Sequence, residues 1–90
     1  MKISVVNKGN IKINYMEGNY LKYEIEKSPE EKMSNIIGYY YKMKGIKNEN
    51  KISFLCGGDI LTPEEIKNKQ IKNYIQKGIN ENILKILVYI

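Results

Sequence analysis

Apolar and polar residues alternate early in the chain: Ile11, Ile13 and Tyr15 with Lys12 and Asn14, then Leu21, Tyr23 and Ile25 with Lys22 and Glu24. A period of two marks a strand with one buried face, and Glu17-Gly18-Asn19 between the runs has turn chemistry, so the pair reads as a β-hairpin. A second register is open. Met1, Ile3 and Val5 also alternate, and Asn7-Lys8-Gly9-Asn10 would turn them back onto the Ile11 strand, giving a three-stranded meander.

The period then changes. Met33, Ile36, Ile37, Tyr40 and Tyr41 recur at helical spacing, with Lys32, Ser34, Asn35, Lys42 and Lys44 on the remaining positions. Ser28-Pro29-Glu30-Glu31 has the form of a helix start, with Ser28 capping, Pro29 at the first helical position and Glu31 reaching back. Gly45 is placed for a left-handed cap, and Lys42 and Lys44 put positive charge on the last turn, so the helix is expected to end there. After the polar spacer Lys47 to Lys51, Ile52, Phe54 and Cys56 alternate with Ser53, Leu55 and Gly57 as a two-faced strand. Gly57-Gly58-Asp59 turns it toward a short strand at Ile60 and Leu61. Thr62-Pro63-Glu64-Glu65 opens a second, short helix; Ile71, Tyr74 and Ile79 close the bottom of the core; Ile83 to Val88 forms the last strand.

This order of elements carries a resemblance. Ser28-Pro29-Glu30-Glu31-Lys32-Met33, with Ile36, Tyr40 and Gly45-Ile46 at helical spacing, followed by Ile52-Ser53-Phe54-Leu55-Cys56-Gly57-Gly58-Asp59-Ile60-Leu61, is similar to the central part of ubiquitin and more so of SUMO. Tyr74, Gly78-Ile79 and the closing strand resemble the same family's tyrosine loop and last strand. The resemblance runs from about Ile11 to the end. It implies an α+β, ubiquitin-like β-grasp fold over residues 11–90, a mixed sheet packed on one main helix. Residues 1–10 are then an extension that either adds a strand or pairs with, and occupies, the edge of the second strand.

Composition narrows the function classes. Ninety residues, 42% of them hydrophobic, suffice for one small core. No apolar run is long enough to span a bilayer, and Met1-Lys2 leads into an alternating segment instead of a signal-peptide core, so no membrane or secretory route is expected. The lone Cys56 lies on the inward parity of its strand and reads as a small buried hydrophobe. The chain has no histidine, the commonest proton shuttle and metal ligand near neutral pH, so no metal, cofactor or enzyme activity is expected. Glu64 and Glu65 are capping groups, since adjacent helical positions point apart.

The net charge of +5 comes from lysine alone, with neither arginine nor alanine present, usage that fits an AT-rich genome scattering lysines over solvated faces. Nucleic-acid binding therefore ranks third among the readings, because sequence-specific readers rely on arginine forks and aromatic platforms. Tyr40 is expected in the core, with Tyr39 flanking the sheet edge.

What remains is a surface, and the resemblance says where to look. With Phe54 and Cys56 inward, Leu55 faces out; with Leu84, Ile86 and Val88 inward, Lys85 and Leu87 face out. Leu55, Gly58, Lys85 and Leu87 thus match the hydrophobic recognition patch of ubiquitin. The second candidate is the groove beside Leu21, Lys22 and Tyr23 with Asn35, Tyr39 and Lys42 of the helix, where a SUMO-like domain accepts an extended aliphatic peptide; Glu24 departs from that groove's basic character. The expected partners are proteins carrying ubiquitin- or SUMO-binding motifs, met by a monomer in the cytoplasm or nucleus. A covalent post-translational modifier also needs a Gly-Gly tail for its conjugation enzymes, whereas the sequence as given closes on Val88-Tyr89-Ile90. Asp59 stands where ubiquitin has its best-known acceptor lysine, which excludes ubiquitin-style chains through that position. The leading expectation is a protein-recognition domain whose sharper form is a modifier or a module of a longer precursor. The alternative is a stand-alone, non-conjugating interaction or inhibitor protein.

Overall fold

A computed structural model of the chain describes residues 9–47, 52–75 and 82–89. Strand β1 (Ile11–Glu17) turns through Gly18 and Asn19 into β2 (Tyr20–Lys27), and helix α1 (Met33–Lys44) follows. Next come β3 (Ser53–Cys56), β4 (Asp59–Ile60), the short helix α2 (Pro63–Asn68), a 3₁₀ turn (Ile71–Tyr74) and β5 (Ile83–Tyr89). The five strands form one sheet in the order β2-β1-β5-β3-β4. β1 and β5 run parallel; the other pairs are antiparallel. The mixed sheet on one main helix is the architecture that the resemblance to the ubiquitin family implies.

The core forms where those two periods meet. Ile11, Ile13 and Tyr15 of β1, Phe54 and Cys56 of β3, and Leu84, Ile86 and Val88 of β5 are buried with Met33, Ile36, Ile37, Tyr40 and Tyr41 of α1, and Leu61 and Ile71 close one end. The helix ends as its sequence predicts, with Gly45 at φ 76 and its amide donating to the carbonyls of Tyr41 and Lys42. The Thr62 capping box also forms: Thr62 Oγ1 accepts from the Glu65 amide at 3.1 Å, and the Glu65 carboxylate accepts from the Thr62 amide at 3.0 Å.

The start of α1 differs from the expectation. The helix begins at Met33, its N-cap is Lys32, and no side chain caps it. Ser28 instead closes a local turn, its hydroxyl accepting from the Glu30 amide and its carbonyl from that of Glu31. The reason lies at the 3₁₀ turn. The Ile71 amide donates to the Glu31 carbonyl, the Lys72 amide to that of Pro29, and the Met33 amide to that of Lys69, each within 3.0 Å. Lys32 and Gln70 form an isolated bridge within this exchange. Carbonyls that a helix opening at Pro29 needs are thereby spent on tertiary contacts. As for the alternative meander, β1 already carries β2 on one edge and β5 on the other. Met1 to Lys8, on which the extra-strand reading falls, lie outside the described residues, as does Ile79.

A core rich in tyrosine must place its hydroxyls. Tyr15, Tyr40 and Phe54 stack in tilted or edge-on contacts, Tyr40 lying 5.6 Å from Tyr15 and 5.5 Å from Phe54. The Tyr15 hydroxyl donates to the Ile36 carbonyl at 2.5 Å, and burial drives its pKa upward. The Tyr40 hydroxyl donates to the Glu17 carboxylate, which also receives Lys44 Nζ at 2.6 Å, so the end of β1 is tied to the last turn of α1. Those two donors, Lys44 first, hold the Glu17 carboxyl below the usual carboxylate range against the opposing effect of desolvation.

The consequence for stability has a definite sign. A carboxyl whose folded pKa is depressed contributes stability above its unfolded pKa and loses it as pH falls through the folded one. Glu17→Gln is expected to cost about 1 kcal/mol at pH 7, a modest value because the pair is partly exposed. Denaturant unfolding of both proteins between pH 7 and pH 2 checks this; the difference between them should shrink toward the acid end.

Candidate protein-binding surface

The helix covers one face of the sheet and, among the described residues, leaves the other open, and strand register decides what lies there. Leu55 of β3 is opposite Leu87 of β5, as the outward parities of the two strands predict. Leu87 is also opposite Met16 of β1, and Leu55 opposite Ile60 of β4. Met16 is opposite Leu21 of β2. Directly paired residues share a face of the sheet, so Leu21, Met16, Leu87, Leu55 and Ile60 form one apolar row crossing all five strands. The three central side chains are half-buried by their neighbours, while Leu21 at 51% and Ile60 at 60% exposure form open ends.

Leu21 reaches this row because of a bulge. Tyr15 pairs with Tyr23 but Met16 pairs with Leu21, leaving Lys22 as an extra residue in β2. Strict alternation puts Leu21 and Tyr23 on one face. The inserted residue reverses the parity, so Tyr23 lies toward α1 while Leu21 lies on the open face. Met16 and Ile60 were absent from the sequence-derived patch. Met16 was legible as the one apolar residue on the outward parity Lys12, Asn14, Met16; Ile60 sits in a two-residue strand too short to display a period.

Mostly polar residues border the row, with Tyr89 and, one step beyond Lys85, Ile83 as the apolar residues of β5 on the same face. Glu24, Asn14 and Lys85 line up across β2, β1 and β5 on one side, and Tyr89 and Ser53 pair on the other. Glu24 approaches Lys12 at 3.9 Å. Lys85 is exposed beside Leu87, and Gly58, at φ 90, turns the chain between β3 and β4 in a backbone geometry that a side chain would strain.

The groove candidate is assembled differently from the expectation. The strip between β2 and α1 is bridged by its own side chains: the Tyr23 hydroxyl donates to the Met43 carbonyl at 3.3 Å, and Lys27 Nζ lies 3.2 Å from the Tyr39 hydroxyl and 4.4 Å from its ring centroid. Asn35 donates to Glu31 along the helix at 2.6 Å, Lys42 is exposed, and Lys22 occupies the bulge. Of the six groove residues, only Tyr23 and Tyr39 take part in the contacts that span the strip. The outer backbone edge of β2 carries no strand among the described residues.

Cys56 is buried at 3% exposure, and burial pushes its thiol up to about 12. The Tyr74 hydroxyl is likewise raised, by burial first and by nearby Glu65 and Cys56 after it. Among the described residues there is no group of three or more His, Cys, Asp or Glu side chains able to hold a metal ion, and no helix long and apolar enough to cross a membrane.

No family model and no curated protein matches the chain. A solved structure does: one described as molecular mimicry of SUMO that promotes DNA repair superposes with a TM-score of 0.62 over 91% of this chain and 92% of that one, at 13% identity. Together with the sheet order, the parallel β1–β5 pair and the crossing helix, this likeness defines the chain as a domain of ubiquitin-like β-grasp fold. The correspondence is one of fold, since 13% identity leaves the surfaces free to differ.

A thiol this deep and this weakly acidic is expected to react slowly. In native protein at pH 8, labelling of Cys56 by a disulfide reagent should proceed orders of magnitude more slowly than in denaturant. Equal rates in the two conditions are the contrary result.

Proposed function

We propose that this domain is a protein-recognition module, without enzyme activity, that holds its partner against the open face of the sheet around Leu55, Gly58, Lys85 and Leu87. The observation that carries the reading is the Leu55–Leu87 register pair, two half-buried aliphatic side chains at the middle of a face that no element among the described residues covers. Apolar burial against such a pair is worth about 25 cal/mol per Å², and Lys85 beside it adds orientation more than affinity. The partners are proteins that recognise ubiquitin-like surfaces, inside the cell, in the cytoplasm or nucleus. The groove between β2 and α1 is the weaker candidate because Tyr23 and Tyr39 are engaged across it.

A second reading has its own support. The solved structure of like fold is described as mimicry of SUMO. On this reading the domain competes for a modifier's partners as a mimic and is not itself conjugated. Conjugation in its place requires a Gly-Gly tail beyond Ile90 and enzymes that activate it.

Affinity capture from source cells, quantified for wild type beside Leu55→Asp and Leu87→Asp, tests the surface. Each variant should lose the same set of proteins by tenfold or more, while Lys42→Asp on α1 leaves that set unchanged. Equal capture by all four proteins excludes the open face. A denaturing immunoblot with intact-mass measurement separates the two readings, since a modifier gives a covalent ladder and a mimic runs as a single free species.

A further inference from the structure

The topology gathers several chain ends at one end of the domain. β1 and β5 finish there, at Glu17 and Tyr89, and β2 begins there at Tyr20. α1 ends there too, since Lys44 Nζ meets the Glu17 carboxylate and the Met43 carbonyl accepts from the Tyr23 hydroxyl. Tyr20 is 76% exposed, Met43 and Ile46 are exposed beside it, and Tyr89 stands at the adjoining corner, so four of the six large apolar side chains left exposed among the described residues lie at this end. Lys22, Lys42, Lys44 and Lys47 stand among them. Lys22 is close enough to Glu17 to help hold that carboxyl ionised. Lys44 and Glu17 offset each other, whereas Lys22, Lys42 and Lys47 are exposed and form no ion pair among the described residues. Lys42 and Lys44 also answer the helix dipole, but Lys22 and Lys47 lie outside the helix.

Apolar and basic side chains are interleaved at this end: Tyr20 with Lys22, Met43 between Lys42 and Lys44, Ile46 beside Lys47. A specific protein interface separates the two kinds, with an apolar centre and charge at the rim, over about 800 Å² per partner. Nucleic acid takes the lysines but offers the aliphatic Met43 and Ile46 nothing to enter. The boundary of a bilayer accepts both, with hydrocarbon below and anionic headgroups at the level that lysine reaches on its long stem. Tyrosine, an apolar ring with a polar tip, is favoured at the same depth. We propose that this end docks on an anionic lipid surface, touching the bilayer without crossing it. Tyr20, Met43 and Ile46 enter the headgroup layer, and Lys22, Lys42 and Lys47 hold its phosphates and carboxylates. The strands then stand upright on the membrane. This contact is independent of the recognition reading above, and it leaves Leu55 and Leu87 free for a protein partner.

The probe is a set of unilamellar vesicles, phosphatidylcholine with about 30% phosphatidylserine beside phosphatidylcholine alone, in sedimentation binding with the full chain. Partitioning onto the anionic vesicles should exceed that onto the neutral ones about a hundredfold, at about fivefold for each free lysine. It should collapse in about 1 M salt, where the screening length is about 3 Å. Lys42→Ala combined with Lys47→Ala should lower it about 25-fold, and Ile46→Ser about tenfold. Lys12→Ala combined with Lys72→Ala, at the far end of the sheet and helix, should change it less than about twofold. The chain has no tryptophan, so Ile46→Trp supplies a reporter whose emission should shift to the blue on anionic vesicles and be quenched by brominated acyl chains. Tyr20→Trp serves if that variant lowers the melting temperature. Equal partitioning onto the two kinds of vesicle, or lysine variants that bind as wild type does, overturns the site. Binding indifferent to Ile46→Ser, with an unshifted indole and equal affinity for polyuridylate, assigns the lysines to phosphate alone and overturns the lipid surface as the partner.

Discussion

The parallel pairing of β1 with β5 is the constraint on which the rest of this structure depends. It joins a strand beginning at Ile11 to one beginning at Ile83, so the chain between them must leave the sheet, cross one face as α1 and return before the pairing can close. That closure is entropically costly because it joins residues far apart in sequence, and helix packing offsets the cost by shortening the span to be closed. Once formed, it places Ile13 beside Leu84 and Tyr15 beside Ile86 under the helix, and by the same register Met16 beside Leu87 on the open face. Core and candidate site are the two faces of one register. A slip by one residue would exchange them, exposing Tyr15 and burying Asn14.

The helix side of that register is held by tyrosines whose rings pack as hydrocarbon and whose hydroxyls need acceptors. Tyr15 finds one in the Ile36 carbonyl and Tyr40 in Glu17, so the aromatic cluster is also a set of directional ties between β1 and α1. A leucine core of the same volume would pack as well but would fix neither the rotation of the helix nor its position along the strands. Tyr40 and Lys44 lie one helical turn apart and converge on one carboxylate at the hairpin end of β1, which anchors the last turn of α1 where Gly45 ends it.

Much of this was legible in the sequence where a repeat was long enough to read. The five buried residues of α1 are the five that recur at helical spacing, and the inward residues of β1, β3 and β5 follow their alternation. The caps at Gly45 and Thr62 were legible because capping chemistry is local. The start of α1 was not. Ser28-Pro29-Glu30-Glu31 is a sound capping sequence, but its carbonyls are taken by Ile71 and Lys72, about forty residues on, and a long-range competitor leaves no mark in a local pattern. The candidate site divides along the same line. Leu55 and Leu87 followed from parity; the face of Leu21 did not, because one unpaired residue at Lys22 inverts everything beyond it while leaving the string of residue types unchanged.

The bulge at Lys22 also bears on the strand that carries it. β2 is eight residues long and stands at the edge of the sheet, where a row of unpaired amides and carbonyls invites another chain. A bulge twists such an edge, and the lysine placed at it adds charge and desolvation cost, both of which oppose edge-to-edge pairing. The strip above that edge is meanwhile spanned by Tyr23 and by Lys27 on Tyr39, so the edge is guarded from the helix side too. The same insertion that discourages strand addition turns Leu21 to the other face and completes a line of apolar side chains there. One residue thus takes the Leu21 side chain off the helix side of β2 and places it opposite Met16 on the other face of the sheet.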